Sequence, residues 1–210
     1  MNKAIIGKKL GMTQIFSADG KVIPVTVVEA GPCPVVQVKT KERDGYEAIK
    51  VGFEKVDEKY LNRPEAGLFK KLGIEPCKVL KEFRVDDVKN FNAKDVITVE
   101  TFAAGDKVDV VGLTKGHGYS GVIKRWGQHR LKETHGVGPV HREVGSMGAN
   151  SSPSRVFKNK RLPGQYGHEQ VTIQNLEIVK VDAARGVLLI KGAIPGPKGG
   201  IVCIADSVKA

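Results

Sequence analysis

Glycines at a regular spacing are the first feature of this chain that could do chemistry. Gly116, Gly118 and Gly121 form the pattern G-x-G-x-x-G directly after DKVDVVGL, a run typical of a β-strand. In dinucleotide-binding proteins this pattern seats a pyrophosphate at the N-terminus of an amphipathic helix. Here Gly127 follows soon after Gly121, no apolar helix face is present, and strands and helices do not alternate around the motif. The glycines therefore predict close approach of the backbone to a different partner, not a nucleotide cofactor.

Three histidines have a spacing that invites a metal site. His129, His135 and His141 recur every six residues. Six residues of strand span roughly 20 Å, and six residues of helix place successive side chains on nearly opposite sides. No cysteine or aspartate cluster joins the three histidines. We therefore predict no metal site and no cofactor, and expect these imidazoles to hydrogen-bond and stack on nucleotides.

Candidate catalytic groups are poorly arranged. Ser151, Ser152 and Ser154 lie near histidines in the sequence, but no neighbouring carboxylate is placed to orient a base, and no G-x-S-x-G turn is present. The acidic pairs Asp86-Asp87 and Asp57-Glu58 lie in charged stretches that are typical of a solvated surface. The sequence therefore predicts no enzyme activity and no small-molecule substrate.

Positive charge is concentrated in one part of the chain. The formal net charge is +11, and the window from Lys115 to His168 holds ten basic and two acidic residues, or +8 over 54 residues. The rest of the chain holds 24 basic and 21 acidic residues. The same window contains all five histidines, the single tryptophan and ten of the 25 glycines. Charge of one sign without compensation is self-repulsive, so the window needs an anionic partner to become compact.

The basic window also interleaves cations with rings. Rings and imidazoles can stack on unpaired bases while lysine and arginine contact phosphates. No recognition helix or zinc module is visible, so the composition favours RNA over duplex DNA or an anionic membrane surface. The predicted RNA-binding residues are Lys115, His117, Lys124, Arg125, Trp126, His129, Arg130, Lys132, His135, His141, Arg142, Arg155, Lys158, Lys160, Arg161, Tyr166 and His168.

Short β-strands are predicted to position this window. Two hairpins are expected around the turns SADG and ERDG, and further strands are expected on both sides of the window. The expected strands are MTQIF, KVIPVTVVEA, PVVQVKT, YEAIKVGFE, CKVLKEFRV, DVITVETF, DKVDVVGL, EQVTIQNLEIVKVD, VLLIKGAI and GIVCIAD. Many short strands rich in β-branched residues predict an all-β barrel or sandwich.

Proline and glycine refine this assignment. Pro24 cannot donate to a ladder, so its strand is expected at an edge or a bulge. One short helix is expected in NRPEAGLFKKLGI, because Pro64 suits a first turn and Gly73 suits a helix end. No apolar period persists between Gly127 and Gly167, so we expect a long irregular loop that becomes ordered on its partner.

The remaining features bear on the cellular compartment. The chain has no run of 18 apolar residues, and MNKAIIGKKLGMTQIF lacks the pattern of a signal peptide. Cys33, Cys77 and Cys203 are odd in number and widely spaced, which argues against disulfides and a zinc ribbon. We therefore expect a cytosolic protein without a membrane partner and with buried thiols.

Long blocks of the sequence, in the same order, resemble the L-three family of large-subunit ribosomal proteins in its bacterial form. The blocks are GKKLGMTQIF, PVTVVEAGPC, KEFRVDD, GDKVDVVGLTKGHGYSGVIKRWG, HREVGSMGANSSPSRVFKNKRLPGQYGHEQVTIQNLEIVKVD and LLIKGAIPGPKGG. The resemblance implies a mainly β fold: a six-stranded Greek-key β-barrel of the translation-protein type, with a short helix and a long irregular basic loop extension. The implied barrel body is 1–114 plus 169–210, with a helical insert near 62–73, and the implied rRNA-binding loop is 115–168.

The same resemblance implies a function. Family members are structural constituents of the large subunit in the cytoplasmic ribosome, bind 23S-type rRNA near its 3′ end, and help nucleate assembly. Their extension runs toward the peptidyl transferase centre, and their neighbours include the large-subunit proteins numbered fourteen and nineteen. The implied tip of the extension is Gly145, Ser146, Met147, Gly148, Ala149, Asn150, Ser151, Ser152, Pro153 and Ser154.

The tip departs from the family pattern at two points. Ser151 stands where some bacterial relatives carry a methylated glutamine, so that modification is not expected here. Ser152-Pro153-Ser154 replaces the common Thr-Pro-Gly, so a different local turn is expected.

Overall fold

A computed structural model of the chain describes residues 3–209. Its strands are β1 (Ala4–Phe16), β2 (Val22–Ala30), β3 (Cys33–Lys39), β4 (Ala48–Lys55), β5 (Cys77–Phe83), β6 (Val96–Ile97), β7 (Lys107–Leu113), β8 (Gly118–Ser120), β9 (Gly164–Tyr166), β10 (Gln170–Asp182), β11 (Val187–Lys191) and β12 (Ile201–Asp206). Its α-helices are α1 (Lys41–Asp44), α2 (Arg63–Leu72) and α3 (Val122–Trp126). Two 3-10 turns lie at Glu58–Tyr60 and Val99–Thr101.

Six of the strands close into a barrel in the order β1-β12-β7-β10-β11-β2. Every neighbouring pair is antiparallel. Closure removes the exposed edges that a sandwich would retain. The side chains at the centre of the barrel are branched and fully buried, among them Ile5, Val28, Val110, Ile178 and Leu188. The prediction of a mainly β, six-stranded barrel is therefore confirmed, while the Greek-key description of its connections stays a prediction.

The first strand is longer than expected. The pattern MTQIF marks only its second half, and β1 begins eight residues earlier, at Ala4. Gly7 and two lysines interrupt the apolar pattern there, which hides the strand in the sequence. Gly7 serves a close approach, because a Cβ atom at this position would lie 2.6 Å from Cγ1 of Val28 in β2.

The edge position expected for the strand of Pro24 was wrong, and the register shift in the pairing of β1 with β2 lies opposite Val27 and Val28, not at Pro24. Its strand, β2, lies between β1 and β11 inside the closed barrel, not at an edge. The last pair between β2 and β11 is Val25 with Lys191, so Pro24 lies one residue beyond the ladder with β11. Its carbonyl still accepts the N–H of Gly192 at 2.9 Å. The missing N–H of the proline is tolerated because β2 extends past the end of its neighbour.

A second sheet has the order β5-β4-β3-β6 and carries α2. Phe69 of this helix is buried against Val36 and Cys77. Pro64 lies in the first turn, and Gly73 ends the helix with a left-handed φ of 65°. The predicted helix is present because both termini follow local rules of helix capping. It has ten residues, and among residues 3–209 no helix is long and apolar enough to cross a membrane.

Two short segments differ from their predicted forms. DVITVETF was expected to be one strand, but only Val96–Ile97 pairs with β3, and Val99–Thr101 forms a 3-10 turn. Val99 and Phe102 are nevertheless buried, so apolar residues that were expected to be buried by a strand are buried here by a turn. The second segment, ERDG, was expected to be a turn. Lys41–Asp44 instead form the short helix α1, which ends at Gly45. Apolar spacing over so few residues does not distinguish these structures.

The cysteines agree with a structural role in two cases of three. Cys33 and Cys77 are buried, Cys203 is half-buried, and all three are free thiols. Burial raises the pKa of the Cys33 thiol to about 12, so this group stays protonated at neutral pH. It packs in the same apolar cluster as the barrel core.

A buried carboxylate, Asp109 in β7, organises the end of the barrel. It accepts the N–H of Asn175 at 2.8 Å and the N–H of Val208 at 3.3 Å. Asn175 has a φ of 59° and lies where the register of β10 shifts. Burial is the largest single influence and acts to raise the pKa of Asp109, but these two hydrogen bonds and those from the side chains of Ser207 and Gln174 together hold the pKa below the usual aspartate value. The folded chain therefore stabilises the charged form.

Asp109→Asn is expected to lower the free energy of unfolding by about 2–3 kcal/mol at neutral pH, because a buried charged acceptor of hydrogen bonds is lost. A lowered folded-state pKa gives stability that is present above the unfolded pKa and disappears as the pH falls through the folded value. The difference between the two chains should therefore shrink as the pH is lowered below about 5, towards and past the unfolded-state pKa of aspartate, about 4. Urea unfolding over this range measures it, with Asp19→Asn, an exposed turn residue, as control. An equal loss at every pH would contradict the role of the charge.

The chain divides into two compact units. The first unit runs up to Thr114 and resumes at Gln170, and it contains the barrel and the second sheet. The second unit is Lys115–Glu169, which is inserted in the chain between β7 and β10. It holds the basic window.

Candidate nucleic-acid interface

The second unit begins and ends in a small antiparallel pair. β8 and β9 lie side by side with Gly118 opposite Tyr166 and Ser120 opposite Gly164. The N–H of His117 donates to the carbonyl oxygen of Tyr166 at 2.9 Å, and the two rings stack with centroids 4.9 Å apart. We call residues 115–128 and 161–168 together the root. Sequence periodicity missed both β8 and β9, because three residues carry no readable pattern.

Side chains fasten the two segments of the root to each other. The guanidinium Nη1 of Arg125 and the indole Nε1 of Trp126 both donate to the carbonyl oxygen of Leu162, at 3.1 and 2.9 Å. Gln128 Nε2 donates to the carbonyl oxygen of Arg161 at 3.3 Å. The outgoing and returning segments are therefore held together where the loop begins. Arg125 and Trp126 thus have structural contacts as well as the predicted contacts with RNA.

The glycines of the G-x-G-x-x-G pattern serve local geometry. Gly118 has a φ of 65° and opens β8, and Gly121 precedes α3. This helix has five residues and ends at Gly127, whose φ of 64° is left-handed. A helix this short has neither the length nor the apolar face of a dinucleotide-binding helix. The glycines mark the path of the chain through the root.

Beyond the root, residues 129–160 contain neither helix nor strand. The N–H of Leu131 donates to the carbonyl oxygen of His141 at 3.0 Å, and Nδ1 of His141 lies 3.2 Å from the carbonyl oxygen of Lys132. Arg130 forms an ion pair with Glu133. Main-chain and side-chain contacts therefore fold the outgoing segment back on itself without regular structure.

The three spaced histidines do not form a common site. His129 and His135 are exposed, while His141 is half-buried by its contact with the backbone. Within residues 3–209, no group of three histidine, cysteine, aspartate or glutamate side chains is placed to hold a metal ion.

The implied tip, residues 145–154, is exposed along its whole length. Ser146 Oγ accepts the N–H of Gly148 at 3.3 Å. Lys160 Nζ donates to the carbonyl oxygen of Ser146 at 2.8 Å, which ties the tip to the returning segment. Ser154 has a left-handed φ of 57°, a conformation that glycine adopts more readily.

The cations of the window are available to a partner. Nine of its ten lysines and arginines are exposed, and Arg125 is half-buried. Among the described residues, the one ion pair formed by these ten cations is that of Arg130 with Glu133. The first unit contrasts with this, since its lysines and acidic residues pair repeatedly, as in Lys8 with Glu54 and Lys39 with Glu82. The unneutralised charge therefore lies on the second unit.

Rings accompany these cations. The Arg125 guanidinium lies 4.8 Å from the centroid of Trp126, and that of Arg161 lies 5.9 Å from it. Arg155 lies 5.2 Å from the ring of Phe157. Such pairs position planar groups side by side at the surface. The exposed ring of Tyr119 is absent from the predicted RNA-binding residues, although its position in the basic window could have indicated it.

The other predicted residues lie along both segments. Eight of the predicted residues are exposed and make no ion pair, ring contact or side-chain hydrogen bond among residues 3–209: Lys115, Lys124, His129, Lys132, His135, Arg142, Lys158 and His168. They differ in this respect from the rings and arginines of the root, and are free to meet an anionic partner.

Gly167→Ala is expected to disrupt the root. Gly167 has a φ of 71°, and a Cβ atom there would lie 2.0 Å from the carbonyl oxygen of Lys115, which the backbone cannot accommodate without moving. We expect amide exchange at His117, whose N–H is bonded to Tyr166, to accelerate at least about tenfold, because this hydrogen bond forms only in the closed root. Hydrogen exchange followed by mass spectrometry or NMR measures the effect.

Gly136→Ala is the matched control for that substitution. Gly136 has a similar φ of 77°, but a Cβ atom there meets nothing within 4 Å. It therefore separates the clash from the general cost of an alanine in the left-handed region. If both variants protect the His117 amide equally, the close approach at Gly167 does not hold the root together.

A barrel body with a long insertion of exposed cations, most of them without an ion pair among the described residues, defines a structural protein suited to an anionic partner, and known sequences assign it to the ribosome. A sequence model of the family described as "Ribosomal protein L3" matches residues 81–188. The "Large ribosomal subunit protein uL3" of Acetivibrio thermocellus is 58% identical over 211 residues, which cover 100% of this chain and 99% of that protein. The chain belongs to the ribosomal protein L3 family.

Family membership settles the general role. The chain is a structural, non-enzymatic constituent of the large ribosomal subunit and part of the cytoplasmic ribosome. The resemblance stated from the sequence blocks is confirmed, as is the prediction that the chain is not an enzyme.

Proposed function

We propose that the second unit binds large-subunit rRNA directly. The observation that carries this proposal is its charge: nine exposed cations of ten and a single internal ion pair on one insertion. Lysine and arginine would contact phosphates, and Trp126, Tyr119 and the exposed imidazoles would stack on unpaired bases. The predicted RNA-binding residues, from Lys115 to His168, are the residues proposed to make these contacts.

The finer proposal follows the family resemblance. The chain binds 23S-type rRNA near its 3′ end, helps nucleate assembly of the subunit, and directs residues 145–154 toward the peptidyl transferase centre. The length of the insertion supports such a reach, because an out-and-back path of residues 129–160 can extend at most roughly 55 Å. The midpoint of this path falls at Gly145, where the proposed tip begins. The large-subunit proteins numbered fourteen and nineteen are the proposed neighbours.

Crosslinking tests the proposal in the natural setting. The chain is crosslinked by ultraviolet light in a cell lysate, purified under denaturing conditions, and the attached RNA is sequenced. We expect reads from large-subunit rRNA, concentrated toward its 3′ end, with crosslinked peptides from the second unit. Reads spread over cellular RNAs, or peptides from the barrel alone, would contradict the proposal.

Competition separates RNA binding from general attraction to anions. The purified chain is bound to a labelled fragment of large-subunit rRNA and challenged with duplex DNA or with vesicles rich in phosphatidylserine. We expect unlabelled rRNA to displace the label at a concentration at least about a hundredfold lower than either competitor, because folded RNA offers unpaired bases as well as phosphates. Equal displacement by duplex DNA would reduce the second unit to a basic module without preference for RNA.

A further inference from the structure

The first unit contains a cleft that the proposed function does not use. Its volume is about 570 Å³, within the range of binding sites for small molecules and peptide side chains. Phe53 and Cys77, both buried, lie at its floor, and Pro32, Ile74 and Val96 line its walls. The cleft is therefore apolar at its centre and lies within one compact unit.

The charges that line the cleft cancel. Three lysines and three glutamates are present: Lys8, Lys55, Lys94, Glu29, Glu54 and Glu75. Lys8 pairs with Glu54 at 3.0 Å, and Lys55 pairs with Glu75. Three carboxylates beside an apolar floor disfavour a phosphate backbone, whereas charges of both signs suit the side chains of a polypeptide. In the second unit, by contrast, lysines and arginines outnumber acidic residues.

A strand edge lies at the cleft. β6 ends the second sheet, and Val96 in it lines the cleft with 56% of its surface exposed. The carbonyl oxygen of Asp95 points toward β3, where it accepts the N–H of Val35 at 2.7 Å. In a trans peptide the next N–H points the opposite way, so the N–H of Val96 faces away from β3. An edge of this kind can pair with an added extended segment.

We propose that this cleft binds an extended, apolar peptide segment of a neighbouring protein in the large subunit. The segment pairs its backbone with the edge at Val96 and places apolar side chains against Phe53 and Ile74. Side chains of either sign at its ends face Lys94 and Glu29 on the rim. The inference rests on membership of the subunit and not on RNA binding by the second unit, so the two proposals can fail separately.

A photocrosslinker at the edge tests the proposal. p-Benzoylphenylalanine replaces Val96 in the full chain, large subunits are isolated from cells that incorporate it, and irradiated subunits are treated with ribonuclease or protease. We expect a crosslinked product that resists ribonuclease, disappears with protease, and maps by mass spectrometry to an apolar segment of one protein. A product that ribonuclease removes would show RNA in the cleft and overturn the proposal, as would the absence of any product.

A second set of variants tests whether the cleft itself holds the segment. With the crosslinker at Val96, Ile74→Asp is expected to lower the yield of the protein product at least about tenfold, because a charge would be buried beside apolar side chains. Ile74→Val is the matched control and keeps the yield. Val22, which is 53% exposed on the barrel, carries the crosslinker in a third chain and reports background outside the cleft. Unfolding of the Ile74→Asp chain would remove it from the subunit, and the result at Val96 alone then decides the question. An unchanged yield with Ile74→Asp in assembled subunits would overturn the proposal.

Discussion

Raising the salt concentration from about 50 to about 200 mM is expected to weaken binding of the chain to large-subunit rRNA about a thousandfold. Each phosphate that a lysine or arginine neutralises releases condensed counterions, so the slope of log affinity against log salt counts the contacts. A thousandfold change corresponds to about six phosphates. The second unit offers nine exposed cations, of which only Arg130 pairs with a carboxylate within residues 3–209, so it can supply six. Titration of a labelled rRNA fragment over a series of salt concentrations measures the slope.

Two charge-matched triple variants locate the contacts. Replacing Lys124, Lys132 and Lys158 with glutamine removes three exposed cations from the second unit. Replacing Lys21, Lys41 and Lys180 with glutamine removes three exposed cations from the first unit and gives the same net charge. We expect the slope to fall by about three in the first variant and to change little in the second. A flat salt dependence of the unmodified chain, or equal effects of both variants, would contradict binding through the insertion.

Local rules explain which parts of the fold the sequence could predict. The helix α2 was predictable because Pro64 and Gly73 fix its ends through backbone geometry alone. Closure of the barrel was not, because an alternating pattern suits a sandwich equally well. What decides closure is the pairing of β1 with β12, in which Ala4 lies opposite Ala205 at the other end of the chain.

Lys9 shows the same limit within one strand. In the sequence it reads as a surface charge that ends an apolar run, and it contributed to the missed beginning of β1. In the structure it is buried, and its Nζ donates to the carbonyl oxygens of Ile194 and Gly196 at 2.8 and 2.9 Å. These acceptors belong to the backbone, lie far away in the chain and carry no mark in the sequence. A buried lysine of this kind becomes recognisable only after folding is known.

The sequence likewise predicted some features of the candidate interface and not others. Its charge could be read from composition, because a count of lysines and arginines needs no contact map. The internal contacts of Arg125, Trp126 and His141 could not, because their partners are the carbonyl oxygens of Leu162 and Lys132. Residue types predicted a surface for RNA, while backbone carbonyl groups of both the outgoing and the returning segments determined which side chains also support that surface.

Replacing residues 129–160 with a short Gly-Ser linker is expected to leave the barrel folded and to lower affinity for large-subunit rRNA about a thousandfold at moderate salt. The segment contains six of the ten cations of the window: Arg130, Lys132, Arg142, Arg155, Lys158 and Lys160. A linker of about four residues can close the gap, because Gln128 already reaches the carbonyl oxygen of Arg161 at 3.3 Å. The strands that form the barrel lie wholly outside the segment. Urea unfolding measures the stability of the body, and titration with the rRNA fragment measures the affinity.

A full-length chain in which the same six cations are replaced by glutamine separates charge from shape. Both variants lose the same phosphate contacts, so they should share one salt slope. Only the shortened chain also loses the rings and imidazoles of the insertion that would stack on RNA bases. We therefore expect it to bind at least about tenfold more weakly than the glutamine variant. The barrel should unfold at the same urea concentration in both, because its core of Ile5, Val110 and Leu188 is unchanged. Unfolding of the shortened chain would refute the division into a self-sufficient body and an inserted binding unit, and undiminished affinity would place the rRNA contacts on the barrel.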